Sequence, residues 1–329
     1  MHIALDAMGG DDAPVETVKG AVLALKDYPI TITLVGREDC IRKELSKLNQ
    51  KESDRLRILH ASEVVEMGES PAQSFRKKKN SSLRLGLDMV KEKVADGFVS
   101  AGNTGAFMAT SVLVLGKIPN IDRPAIATVL STNNGPVLLL DIGSNVDCKP
   151  HHLEQFALMG HYFASLVLKV ENPKVGLINI GEEEDKGDTL VLAAYPLLKK
   201  LPINFVGNVE SRDILTGKVQ VMVCDGFLGN NLLKFGEGLI DVFMGFFKND
   251  CQQSWISKLG AMLLIPALKR FKKKFDYEET GGAPLLGVDG VCVVAHGRSQ
   301  AKAIKNAIFR AYQESESNVI ATIQEAVSQ

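Results

Sequence analysis

The chain has 329 residues, 45% of them hydrophobic, enough to bury a large core either as one big α/β unit or as two lobes. Its 38 basic and 39 acidic side chains leave a net charge of −1, so no global field draws it to nucleic acid and any electrostatic partner must meet a local patch. Five scattered cysteines without a C-x-x-C (Cys40, Cys148, Cys224, Cys251, Cys292), no leader-like start and no apolar run near the ~20 residues that span a bilayer read as a cytoplasmic protein with reduced thiols.

In chain order, His2–Leu5 reads as a short buried strand with Asp6 at its carboxyl end. Gly9 and Gly10 follow, where the backbone can approach a ligand, and Pro14 is placed to open a helix through Val15, Val18, Val22 and Leu25. A glycine turn entering a helix suits an anion, although Asp6, Asp11 and Asp12 would repel one unless they contact something else. Further strand-like runs follow at Ile30–Val35, Leu56–Leu59, Gly97–Ser100, Ala125–Leu130, Val137–Asp141, Lys174–Ile180, Ile203–Val206, Val219–Cys224 and Val291–Ala295. Their spacing is that of βαβ units and several are continuously apolar, so the expected fold is a three-layer α/β/α sandwich with a mostly parallel sheet.

Polar, glycine-containing segments follow many of these runs: Ser100–Ala106, Asp141–Asp147, Gly181–Gly187, Gly207–Glu210 and Cys224–Asn231. In the first, Gly102, Asn103, Thr104 and Gly105 offer N–H and hydroxyl donors of the kind that line a phosphate. Such segments on one strand edge predict a shared cleft, since open α/β sheets bind ligands just beyond strand carboxyl ends. Leu232–Phe275 has no strand pattern and predicts two successive helices inserted before the last strand.

Seven segments, Asp6–Asp11, Ser100–Ala106, Asp141–Asn145, Asn179–Glu184, Gly207–Glu210, Asp225–Asn230 and Gly281–Gly287, together resemble the bacterial phosphate acyltransferase (PlsX) family, the acyl-[acyl-carrier-protein]:phosphate acyltransferases of phospholipid synthesis. The resemblance runs from the first residue to about Asn306; Ser211, Asp185, Asp188 and Arg298 depart from the family pattern. It implies a homodimer with a fold like phosphate acetyltransferases and isocitrate and isopropylmalate dehydrogenases, with no cofactor and no required metal. It also implies transfer of a long-chain acyl group from acyl carrier protein to inorganic phosphate.

That reaction needs phosphate held against a thioester and the developing oxyanion stabilised, without a serine or cysteine nucleophile. Gly9, Gly10, Gly102, Asn103, Thr104 and Gly105 suit phosphate; Asn145, Asn208 or Asn230 suit the oxyanion or the pantetheine arm. His296 and Lys186 are the candidates to protonate the leaving thiolate, whose thiol pKa is about 8.5. Asp6, Asp11, Asp141, Asp225 and Glu210 would line the cleft, the aspartates more readily as acceptors for loop N–H groups or hydroxyls than as metal ligands.

Arg76 and Lys78, in the run Arg76–Lys79, are candidate contacts for the acidic carrier protein or for phosphate. On the inserted hairpin, Trp255, Leu259, Met262 and Leu263 sit in a stretch with six basic residues (Lys258, Lys269, Arg270, Lys272, Lys273, Lys274) and no acidic one before Phe275. An apolar face with a basic end suits reversible binding to an anionic membrane surface, where a membrane acyltransferase could receive the product; packing in a dimer interface is the competing reading. A phosphate acetyltransferase-like enzyme using coenzyme A, a decarboxylating dehydrogenase and a non-catalytic membrane scaffold remain alternatives from the residues alone.

Overall fold

The structure is a computed structural model that describes residues 1–275 and 281–328. Its strands are β1 (His2–Asp6), β2 (Thr31–Gly36), β3 (Leu56–His60), β4 (Gly97–Ser100), β5 (Ala125–Thr132), β6 (Gly135–Leu140), β7 (Val175–Asn179), β8 (Phe205–Glu210), β9 (Val221–Val223), β10 (Ala283–Leu286) and β11 (Val291–Val294). The helices are α1 (Val15–Asp27), α2 (Glu38–Lys47), α3 (Pro71–Lys77), α4 (Ser82–Lys91), α5 (Thr104–Leu115), α6 (Pro150–Leu166), α7 (Thr189–Leu198), α8 (Gly226–Cys251), α9 (Trp255–Phe275), α10 (Ala301–Glu316) and α11 (Val319–Ala326).

Among the described residues the strands form one sheet in the order β3-β2-β1-β4-β11-β10-β5-β6-β9-β7-β8. The first five are mutually parallel, and so are the last four. Between them β10 is antiparallel to both β11 and β5, and β5 is antiparallel to β6. The two parallel blocks therefore run in opposite senses. Loops that follow β1, β4 and β11 leave one edge of the sheet, whereas those that follow β6, β7, β8 and β9 leave the other.

This corrects the expectation of polar loops gathered on a single edge. The spacing of Ala125–Leu130 and Val137–Asp141 had suggested more βαβ, but Thr132 pairs with Gly135 across the two-residue turn Asn133-Asn134, so β5 and β6 are a hairpin. β10, short and lying between Gly282 and Gly287 at positive φ, has no strand pattern of its own in the sequence. Two further boundaries move. Gly207–Glu210 belongs to β8, with Asn208 facing Leu177 of β7, and Gly226–Asn231 forms the opening turns of α8 rather than a loop.

Alternation along the strands builds the layers. Ile3 and Leu5 of β1, with Val291 and Val293 of β11, pack under α1, α2 and α10, while Ala4, Cys292 and Val294 face α4 and α5. In the second block Leu138, Leu140, Val221 and Val223 face α6, α7 and α11. Their neighbours Val137, Leu139 and Met222 face a 3₁₀ turn at Ser211–Leu215 and the start of α8. Past that start α8 runs on to Cys251 and α9 follows it, touching β5; the first of the two helices expected over Leu232–Phe275 thus begins earlier, at Gly226. Their apolar residues Phe235, Leu239, Val242, Phe243 and Phe246, with Trp255, Leu259, Met262 and Leu263, are exposed. The side chains of Lys269, Arg270 and Lys272–Lys274, the expected basic end, lie outside the described residues. No helix among the described residues is long and apolar enough to cross a membrane.

Candidate active site

Hydrogen bonds gather the sequence-derived candidates into two centres, one on each carboxyl edge. The first is built around Asp6, only 4% exposed at the end of β1. Its Oδ1 accepts the Met8 N–H at 3.0 Å and its Oδ2 accepts the Ser100 hydroxyl at 2.8 Å. Ser100 Oγ in turn accepts the Gly102 N–H at 3.1 Å, so the turn after β1 and the turn after β4 hang on one chain of hydrogen bonds. Gly9 packs into that chain. A Cβ there would lie 2.7–2.9 Å from Asp6 Oδ2, Gly102 N and Ser100 Oγ, which only glycine avoids. Burial pushes the Asp6 carboxyl up from its ordinary range, against the pull of the donors around it.

Beyond Gly102 the backbone enters α5, capped by Asn103, whose Oδ1 accepts the Ala106 N–H at 2.9 Å. Phe107 N–H turns back to Asn103 O, and among the described residues the N–H groups of Thr104 and Gly105, both exposed, have no protein acceptor. Asp11 N–H donates to Gly297 O at 2.8 Å, which seats the loop after β11 on the first turn and brings in exposed His296. His296 Nδ1 accepts the Arg298 N–H at 3.2 Å. Of the six residues expected to bind phosphate, all lie here, but three have prior commitments. Gly9 and Gly102 N–H serve Asp6 and Ser100, and the Asn103 side-chain nitrogen donates to the carbonyls of Glu66, Met67 and Glu69. Lys78 is likewise committed, to Val64 O and to an ion pair with Glu69, whereas Arg76 is exposed on α3.

The second centre is built around Asp141, fully buried after β6. Its Oδ1 accepts N–H groups from Ile126, Gly143 and Ser144, and its Oδ2 accepts both the main-chain and side-chain nitrogens of Asn145. Asn145 also donates to Pro124 O and its carbonyl accepts the Gly226 N–H at 2.7 Å. Asp225 caps α8 by accepting the Leu228 N–H, and Asn230 lies over Gly143. Gly229 is pressed onto the Asp141 carbonyl, where a Cβ would sit 1.9 Å from the oxygen. Burial again raises the Asp141 pKa, opposed by the Ser144 and Asn145 donors.

Farther along this edge Asn208 donates to Glu183 O, Asn179 donates to Lys186 O, and the Lys186 side chain is exposed. Glu210 and Asp213 cap the 3₁₀ turn reciprocally, and Arg212 pairs with Glu210. His296 and Lys186, the two proton-donor candidates, thus belong to different centres.

Two clusters were not singled out in the sequence. Asp122, His151 and His152 converge where the loop before β5 meets the start of α6, with His151 Nε2 2.8 Å from Asp122 Oδ2; Glu182, Glu210 and Asp213 converge beside β8. Neither has a short-range sequence signature, because Asp122 and Glu182 come from remote segments. Among the thiols, burial pushes Cys148 and Cys292 up to about 12 and Cys224 well above its ordinary value, which disfavours the thiolate at all three.

Comparison with known proteins decides among enzyme classes that share this fold. Residues 1–322 match the family model described as "Fatty acid synthesis protein". The chain is 52% identical over 327 residues to a phosphate acyltransferase from Heliobacterium modesticaldum, covering 99% of this chain and 98% of the relative. It is 50% identical over 327 residues to one from Pelotomaculum thermopropionicum, covering 99% and 95%. The chain belongs to the phosphate acyltransferase family, PlsX. It is therefore an acyltransferase acting in fatty acid and phospholipid synthesis. Among solved structures it resembles the EutD phosphotransacetylase from Staphylococcus aureus, with a TM-score of 0.64 at 17% identity over 96% of this chain and 94% of that one. That likeness supports the phosphate acetyltransferase-like fold expected from the sequence.

Proposed function

We propose that this acyltransferase moves a long-chain fatty acyl group from the thioester of acyl carrier protein to inorganic phosphate bound in the first centre. The observation that carries the placement is the pair of glycine turns joined through Asp6 and Ser100, which leaves exposed Thr104 and Gly105 N–H at the start of α5 without an acceptor among the described residues. Unpaired N–H groups at a helix N-terminus favour an anion. A phosphate oxygen attacks the thioester carbonyl carbon, the carbon–sulfur bond breaks, and the thiolate takes up a proton to leave as the thiol. Phosphate is already anionic near neutral pH and needs no activating base, so the protein's contribution is position and charge stabilisation. His296, beside the first turn through Gly297, is the better placed proton donor for this centre than Lys186.

The test is incubation of the full chain with long-chain acyl carrier protein and phosphate, with hydroxylamine trapping of the acyl phosphate. Product should form without added metal or nucleotide. Activity with acyl coenzyme A only would favour the acetyltransferase-like reading. In Gly105→Val the new side chain meets Pro71 Cγ and Asn103 Oδ1, 3.1 and 3.5 Å from a Cβ at this position, and disturbs the start of α5; turnover should drop ~10²–10³-fold, as when an oriented donor to developing charge is lost. A fall of less than about fivefold in His296→Ala would return that residue to a structural role, since general acid catalysis contributes ~10²–10⁴.

The reading extends to location. Trp255, Leu259, Met262 and Leu263 are 75%, 55%, 62% and 80% exposed and recur at helical spacing on α9, which supports reversible attachment of a homodimer to an anionic membrane surface. Sedimentation with vesicles should require anionic lipid and weaken in Leu263→Glu. If that variant instead becomes monomeric, the helices form the dimer interface.

A further inference from the structure

The segment between β3 and α3 has no regular structure over residues 64–69, yet it is tied to each element bordering the first centre. On the α5 side the tie is Asn103. Because its Oδ1 caps the helix, its side-chain nitrogen faces away from α5, and it shares two hydrogens among three carbonyl acceptors: Met67 O at 2.7 Å, Glu69 O at 3.0 Å and Glu66 O at 3.3 Å. On the α3 side Lys78 holds Val64 O at 2.5 Å and pairs with the Glu69 carboxylate. At the far side Met67 lies against Gly297, where a Cβ would meet Met67 Cε at 2.8 Å. Gly297 is the residue whose carbonyl accepts Asp11 N–H from the first turn.

Helix capping alone does not call for asparagine at position 103. Serine, threonine or aspartate caps about as well, and among these only asparagine also carries a pair of N–H donors on the same group. Both donors are used on one segment. We propose that residues 64–69 are a strap that closes over bound phosphate, and that Asn103 is a positioning residue that latches the strap through its side-chain nitrogen instead of donating to phosphate. The inference rests on the placement of phosphate in the first centre.

The physics suits a closing element. Val65 anchors the start of the strap against the core, but exposed residues 66–68 are held mainly by side-chain bonds to carbonyls rather than by a ladder, which puts that part at the low-stability end of the fold, where local opening is easy. Closure would exclude water while a hydrolysable acyl phosphate forms, the usual service of such segments.

The experiment is Asn103→Ser in the full chain, which keeps a capping oxygen and deletes the nitrogen. Hydrogen exchange is followed with and without inorganic phosphate, together with kinetics. The Glu69 amide, which donates to Glu66 O inside the strap, should exchange about tenfold faster in the variant while α5 stays protected, as expected when a local opening costs one net hydrogen bond less. Phosphate should slow exchange at 64–69 in the unmodified protein and much less in the variant. The phosphate KM should rise about tenfold with kcat changed less than about threefold, because the lost interaction is with a closing element and not with the transition state. Lys78→Gln, which cuts the other tie, should give the same signature.

Equal exchange of the Glu69 amide in variant and parent overturns the latch. So does a kcat loss of ~10²–10³ at constant KM, the mark of a lost donor to developing charge. Phosphate protection at Thr104 and Gly105 with 64–69 unmoved overturns the strap alone. Protection at neither place overturns the placement of phosphate and the strap with it.

Discussion

The two centres solve the same local problem with opposite results. Each puts a buried aspartate at the carboxyl end of a strand, Asp6 on β1 and Asp141 after β6, and each hangs a glycine-containing turn and a helix start on it. Around Asp141 the donors turn inward: five nitrogen contacts converge on its carboxylate, Gly226 N–H goes to Asn145 O and Leu228 N–H to Asp225. Around Asp6 part of the donor set is a serine hydroxyl, and the helix beyond keeps Thr104 and Gly105 N–H free on exposed residues. Among the described residues α5 leaves two first-turn N–H groups without a protein acceptor, those of Thr104 and Gly105, whereas α8 leaves one, that of exposed Phe227, so the first centre is the more open of the two. An acidic residue beneath a glycine turn is thus no guide to ligand binding until the destination of each N–H is known.

The sharpest way to break the comparison is to disturb packing at the closed centre. Gly229→Ala puts a methyl 1.9 Å from the Asp141 carbonyl, a backbone atom that cannot step aside. Thermal unfolding should show a loss of about 3 kcal/mol or more, in the range of severe overpacking, or no folded protein at all. A melting temperature within a few degrees of the parent would mean that the second centre is as loose as the first.

Next comes Gly9→Ala at the open centre, where the obstructing atoms are a carboxylate, a hydroxyl and one main-chain nitrogen. Side chains can shift, so stability should fall less than in Gly229→Ala, while turnover drops ~10²-fold or more as the two turns lose register. Equal damage to stability in the two variants would erase the distinction between a scaffold and a site.

A separate effect, spread over several pH units, is a slope in stability. Glu314 of α10, buried in the first half, is pushed up from 4.5 to about 8 by burial, with Arg310 opposing. A carboxyl whose folded pKa is raised binds protons more tightly in the native state, so its contribution is complete below about 4.5 and is lost as pH rises toward 8. Melting temperature should decline across that window in the parent and decline less in Glu314→Gln. Parallel profiles for the two proteins would show that Glu314 does not titrate there.

Much of this was legible in sequence, for reasons that individual residues make plain. Runs such as Val137–Asp141 and Val219–Cys224 are buried on both faces, so composition alone marks them as strands. The sense of the second block was not legible, because it depends on the Asn133-Asn134 turn and on β10, a four-residue strand between glycines with neither length nor alternation to announce it. At the first centre the glycines and helix start could be read, since Asn103-Thr104 after Gly97–Ser100 is a local capping signal. The ties from Asn103 to residues 66–69 and from Asp6 to Ser100 could not, because they join segments 34 to 94 positions apart.

The central claim is that phosphate binds at the open centre and not at the closed one. A crystal structure of the full chain with inorganic phosphate tests it most directly. The account predicts phosphate within hydrogen-bond distance of Thr104 and Gly105 N–H, beside Gly10 and under the strap at residues 64–69. Phosphate seated instead on the loop after Asp141 and the first turn of α8, with Thr104 and Gly105 N–H bound only to water, would contradict it.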